Sequence, residues 1–244
     1  MRPTFLFDTK RPWPWLLIAA VVKTVTFLYF IDHNHASARG DHFALDFGDT
    51  WSYLDPIEHL IAEGSYTPDH RMPGYGAPYF LLRMVQDPDH AKNTLVVLQL
   101  VLSVLALYST ARLASHLSGR PWAFVATFSV LCACMFVSAF DPQLATESFC
   151  ASSIVLMLHT LLIGSRESSV VWLLISGLFL AWCVFLRPIC ALIPLTIAFA
   201  LLLRSETGLR ERARSCLVVF LPFLVLESTW IVRNHQVHGG FSPL

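Results

Sequence analysis

The sequence predicts an all-α integral membrane protein of about seven transmembrane helices, with a large first extracytoplasmic loop carrying two short interfacial helices. Three observations predict it. Hydrophobic residues make up 55% of the 244 and charged residues only 14%, where a soluble domain carries about 25% charged residues. Apolar runs long enough to cross a bilayer core as helices recur along the chain. Between the first and second of these runs fall ten of the 17 acidic residues but only four of the 17 basic ones.

The seven runs are Trp13–Ile31, Thr94–Leu113, Trp122–Phe140, Phe149–Ile163, Val170–Phe185, Cys190–Leu203 and Cys216–Val232. The fourth, fifth and sixth are short and are expected to extend into their flanks. The first run is too long for a signal peptide, is interrupted by Lys23, and is followed by no small-residue cleavage site; an uncleaved helix is expected. With the N-terminus cytoplasmic, inside segments hold ten Lys and Arg and outside segments six. That asymmetry favours N-in and C-out, and places the acidic loop, residues 33–93, outside. Small residues in Ser103–Ser118 and Ala145–Ser153 permit close helix approach. The run Arg204–Arg214 reads as a positive-inside connector. No repeat divides the chain, so residues 1–244 read as one membrane-embedded module.

Within the outer loop, Trp51, Leu54, Ile57 and Ile61 recur at helical spacing opposite Ser52, Asp55 and His59, a stripe that suits a helix lying on the membrane. Pro56 admits two readings: a helix that starts near Asp49 and bends, or a new start capped by Asp55. Gly64 closes the segment. Pro78 to Val85 reads as a second amphipathic piece, and the aromatics Trp51, Tyr53, Tyr66, Tyr75, Tyr79 and Phe80 suit an interface. The six cysteines lie in or at the ends of apolar runs, where they serve as small buried hydrophobes rather than a disulfide framework. No basic patch with interleaved aromatics occurs, so no nucleic-acid partner is expected.

The order Asp49, Tyr53, Gly64, then Arg71-Met72-Pro73-Gly74-Tyr75 resembles the first outer loop of the C-type, lipid-linked-sugar glycosyltransferases. These include bacterial relatives of the protein O-mannosyltransferases and the lipid A aminoarabinose transferases. Asp141-Pro142 with Thr146-Glu147, then Leu186-Arg187-Pro188, then Trp230 to Asn234 followed by Gly240 to Leu244, match further family motifs in order. The resemblance runs from Asp49 to the C-terminus. It implies a sugar transferase of a bacterial inner membrane, using a polyprenyl-phosphate-linked donor and a lipid, glycan or protein acceptor. Family members commonly continue past a seventh helix, so a fragment or short member is expected. Asp49 is followed by Thr50, so the tandem acid that would form a metal pair there is missing.

Transfer from such a donor needs a carboxylate to take the acceptor's hydroxyl proton and cations to stabilise the departing phosphate. Asp49 is the candidate general base, expected beside the membrane in partial burial, which would raise its proton affinity; an ordinary helix-start Asp is the alternative. Arg71, Arg187 and Arg233 are candidates for the phosphate, against snorkelling anchors for the latter two. Tyr53 and Tyr75 are candidate substrate contacts. Asp141 and Glu147 could face Asp49 across the site, orient substrate, or share a divalent cation. No cofactor is otherwise implied, and the Asp-His pairs at Asp41-His42, Asp69-His70 and Asp89-His90 read as solvated loop residues. Lys23 and Glu227 are expected to pair inside the bundle, because an unpaired charge at that depth is costly. The alternatives to an enzyme are a non-catalytic or truncated relative and a small-molecule or lipid transporter, against which the absence of a repeat counts.

Overall fold

The computed structural model describes residues 11–34, 42–68, 71–203 and 208–239, and among these it is helical throughout, with no strand. Helix α1 is Pro12–His33, α2 Thr50–Glu63, α3 Gly76–Arg83, α4 Pro88–Ser118, α5 Pro121–Ala133 and α6 Met135–Ser138. They are followed by α7 Thr146–Glu167, α8 Val170–Leu186, a 3₁₀ turn Pro188–Ala191, α9 Leu192–Leu202 and α10 Leu209–His238. Four of these, α1, α4, α7 and α10, are long and apolar enough to cross a membrane, with 22, 31, 22 and 30 residues.

All seven apolar runs fold as helix, but three fall short of that standard. The third breaks at Cys134, whose backbone is extended (φ −82°, ψ 96°), so that α5 has only 13 residues, about 20 Å at 1.5 Å per residue. The fifth is the 17-residue α8. The sixth begins within the 3₁₀ turn and continues as the 11-residue α9. Both are set off from α8 by Arg187, which is extended (φ −146°, ψ 114°), as a residue before proline prefers.

The chain divides into two compact units, residues 1–152 and 153–244. In the first, α4 packs on α1 and α5, and α3 on α2 and α4. One core of this unit gathers Trp15, Ala19, Leu107, Ala111, Phe124 and Phe128. The Trp15 ring meets Phe124 and Phe128 edge-on at 4.9 and 5.1 Å, the favoured geometry for aromatic pairs. In the second unit α10 packs on α8 and α9, around Met157, Leu173, Leu180, Ile197, Leu201 and Val219. Gly177 of α8 lies against the Val219 carbonyl and the Pro222 ring of α10.

The described part of the segment between α1 and α4 is built into the first unit rather than draped over it. Leu45 N–H donates to the Pro142 carbonyl at 2.8 Å, and Leu144 N–H donates to the Leu45 carbonyl at 2.9 Å. Asn93 Oδ1, near the start of α4, accepts from the Phe43 and Ala44 amides at 2.8 and 3.2 Å. Thr50 closes the seam: its hydroxyl donates to the Leu144 carbonyl at 2.9 Å and accepts from the Phe47 amide at 2.7 Å.

The structure decides between the two readings at Pro56 and corrects two other expectations for this segment. Helix α2 runs unbroken through Pro56 from Thr50, so the reading with a new start at Asp55 is excluded. Its buried face is Thr50, Tyr53, Leu54 and Ile57, while Trp51 and Ile61 are exposed. Leu54 and Ile57 of the expected stripe thus face inward, but Trp51 at its first position gives way to Tyr53, because α3 packs on that side. Gly64 ends α2 with φ +72°, a conformation glycine adopts without cost. Helix α3 begins at Gly76, two residues before the expected Pro78.

Candidate functional site

Asp49 takes the N-cap position of α2, yet its side chain caps nothing. Instead Asp49 Oδ2 accepts from Arg71 Nη2 at 3.0 Å. The carboxylate is 59% exposed, which corrects the expectation of partial burial: the α2 face that packs inward starts one residue later, at Thr50. The Arg71 guanidinium also sits 5.1 Å from the centre of the Tyr53 ring, within cation–π range. The Arg71 backbone is held separately, since its carbonyl accepts from the Tyr66 hydroxyl at 3.0 Å.

Behind this pair the aromatics run inward. The Tyr53 and Tyr75 rings are 5.4 Å apart, and Tyr75 lies 5.7 Å from Phe149 in the first turn of α7. Tyr75 is buried, and its hydroxyl donates to Gln99 Oε1 at 2.9 Å, which corrects its expected role as a substrate contact and makes it part of the floor. Burial, and after it the negative charge of nearby Glu147, push the Tyr75 phenol well above its usual range, so the hydroxyl stays protonated and works as a hydrogen-bond donor. Five of the predicted residues, Asp49, Tyr53, Arg71, Tyr75 and Glu147, are therefore gathered in one unit by α2, α3, the connecting loop and the start of α7.

Asp141 departs from its expected role. It is fully buried, with Oδ2 3.1 Å from Lys23 Nζ and Oδ1 accepting from the Ser148 hydroxyl at 2.7 Å. Both oxygens are engaged, which removes it from the substrate contacts and from a metal shared with Glu147. Among the described residues no group of three His, Cys, Asp or Glu side chains is arranged to hold a metal ion. The same contact corrects the partner of Lys23, which is Asp141 and not Glu227. The turn before α7 reaches α1, whereas Glu227 belongs to the second unit.

Sequence reasoning missed the residue that organises this floor. Gln99, wholly buried in α4, accepts from Tyr75 and donates to the Asp141 and Gln143 carbonyls, both at 2.8 Å. A glutamine within an otherwise apolar span is the signal that could have found it, because a buried amide requires partners.

A second cluster supports the far side of α2. Arg83 grips Glu58 with two hydrogen bonds of 2.7 and 3.0 Å, and the Tyr79 hydroxyl donates to the same carboxylate at 2.7 Å. The Arg83 hydrogen bonds hold the Glu58 carboxyl below its ordinary range. Burial, and then Glu58, push the Tyr79 phenol up. His90 meets Asp87 at 2.7 Å and not its neighbour Asp89. His42, expected to be solvated, is instead buried with Nδ1 2.8 Å from the Ala44 carbonyl; Asp41, Asp69 and His70 lie outside the described residues.

Arg187 and Arg233 belong to the second unit. Arg187 stands in the extended break between α8 and the 3₁₀ turn. Arg233, in α10, lies 5.1 Å from the centre of the Trp230 ring and donates to Asn234 Oδ1 at 3.0 Å. Gly240 to Leu244, the last part of the family-like motif, lie outside the described residues. No family model, curated protein or solved structure matches the chain.

Proposed function

We propose that this chain is a membrane glycosyltransferase that moves a sugar from a polyprenyl-phosphate donor to an extracytoplasmic acceptor. The single observation that carries the reading is the exposed Asp49–Arg71 pair, seated on the Tyr53–Tyr75 aromatic wall with Glu147 nearby. A carboxylate and a guanidinium side by side supply the base and the phosphate ligand that such a transfer needs. The resemblance of the loop and its following motifs to C-type lipid-linked-sugar transferases supports the same chemistry.

In the proposed reaction the acceptor hydroxyl attacks the anomeric carbon and its proton passes to Asp49. The bond from that carbon to the phosphate oxygen breaks, and the polyprenyl phosphate leaves with the electron pair. Arg71 offsets the charge on the departing phosphate. Tyr53 backs the Arg71 guanidinium, and Glu147 orients the hydroxyls of the sugar. For Arg187 and Arg233 a phosphate-binding role rests on their sequence motifs alone. The setting proposed is seven crossings of a bacterial inner membrane with the N-terminus cytoplasmic, residues 33–93 outside, and α2 and α3 at the interface.

The test is transfer of labelled sugar from a polyprenyl-phosphate donor in proteoliposomes. Asp49→Asn is expected to lower turnover by two orders of magnitude or more, a typical contribution of a general base. Full activity in that variant would overturn the assignment. Turnover that survives EDTA would place the chemistry on protein groups alone.

A further inference from the structure

The ion pair that defines the candidate site also obstructs it. While Arg71 Nη2 donates to Asp49 Oδ2 at 3.0 Å, the guanidinium faces a carboxylate and not a phosphate. The carboxylate in turn has one oxygen committed to a cation. We infer that this contact is a resting state which the donor's phosphate undoes: the phosphate takes Arg71 from Asp49, and Asp49 is released as a base only when a donor is in place. The inference rests on the transferase reading and adds to it how the site is controlled and which headgroup it answers to.

Three features of the site support an exchange of partners. Both side chains are substantially exposed, 39% for Arg71 and 59% for Asp49, so separating them is cheap, as it is for exposed pairs in general. The Arg71 backbone is tied through its carbonyl to the Tyr66 hydroxyl at 3.0 Å, so the exchange needs only side-chain rotation. The Tyr53 ring, 5.1 Å from the guanidinium, gives the cation a surface on which to pivot without leaving the site. A planar guanidinium also prefers a phosphate with two oxygens in reach to one oxygen of an exposed carboxylate. By contrast, the Glu58–Arg83 contact has two hydrogen bonds and a third partner in Tyr79, which marks it as a permanent brace.

The inference predicts a specific pattern in a double-mutant cycle read by binding of a sugar-free polyprenyl phosphate to the full chain in detergent micelles. Asp49→Asn keeps a residue suited to the N-cap and frees Arg71, so affinity is expected to rise about two- to fivefold, the range an exposed ion pair represents. Arg71→Ala is expected to weaken binding, and adding Asp49→Asn to it should restore nothing. A neutral polyprenol should show no dependence on either residue, and inorganic phosphate should show the same pattern at lower affinity. A gain from Asp49→Asn that persists without Arg71 would mean simple repulsion between Asp49 and phosphate, and would overturn the exchange. No gain with Arg71 present would overturn it too. Failure of the wild-type chain to bind any polyprenyl phosphate would sink the transferase reading along with it, whereas binding without the cycle's pattern sinks the exchange alone.

Discussion

Lys23 and Asp141, 118 positions apart in the chain, form a buried ion pair of 3.1 Å that joins α1 to the turn before α7. The pair explains how a lysine is tolerated in the first apolar run. It also fixes the turn whose carbonyls Gln99 holds and to which Leu45 and Thr50 are stitched. Removing one partner leaves a charge in a site closed to water, a loss of about 3–5 kcal/mol. Lys23→Met or Asp141→Asn alone should therefore lower the unfolding temperature in detergent steeply. The double variant should be more stable than the sum of the two losses, because no unpaired charge remains. Additive losses would mean that the two side chains do not depend on each other.

Gly76 begins α3 at a point where a β-carbon would stand 2.7 Å from Ile57 Cγ1 and 3.2 Å from the Tyr53 carbonyl. Gly76→Ala should push α3 away from α2 and cost about 1–3 kcal/mol. Trimming the neighbour in Gly76→Ala/Ile57→Ala should cost less than the two changes added together, measured by thermal unfolding. Since Tyr53 and Tyr75 flank this contact, the single variant should also weaken polyprenyl-phosphate binding.

In the second unit the neighbour of Gly177 is backbone, the Val219 carbonyl, and backbone cannot rotate aside. Gly177→Ala should separate α8 from α10, in keeping with the role of small residues where membrane helices touch. No side-chain trimming in α10 should rescue it. Equal stability of Gly177→Ala and the wild-type chain would contradict the close approach.

The Glu58–Arg83 brace has a pH signature. Arg83 holds the folded-state carboxyl of Glu58 below its ordinary value of 4.5, so the unfolded chain takes up a proton first as the pH falls. The stability contributed is fully present above about pH 4.5 and is lost on acidification through the lowered folded-state value. Glu58→Gln should flatten that part of the acid-stability profile and leave the neutral region changed only slightly, since the carboxylate is 38% exposed and screened by water. An unchanged acid limb would show that the brace carries no proton-linked stability.

What the sequence by itself determined is the helical, strongly apolar class and the locations of the elements. Composition and run length are additive along the chain, so they require no knowledge of neighbours. The end of α2 at Gly64 and a second short helix before Val85 were legible for the same reason, since turn and cap chemistry is local. The start of α2 was not, because Asp49 and Asp55 both offered one and only the fold chose the first. Tertiary structure alone decided which residues meet. The choice of Asp141 over Glu227 as the partner of Lys23, the inward face of α2, and the burial of Gln99 beneath Tyr75 all depend on contacts between segments far apart in sequence. The break at Cys134 likewise occurs within a run whose composition reads as continuous helix. A buried charge can be paired by any opposite charge that the fold brings within reach, and only the packing of α1 against the turn before α7 selects one.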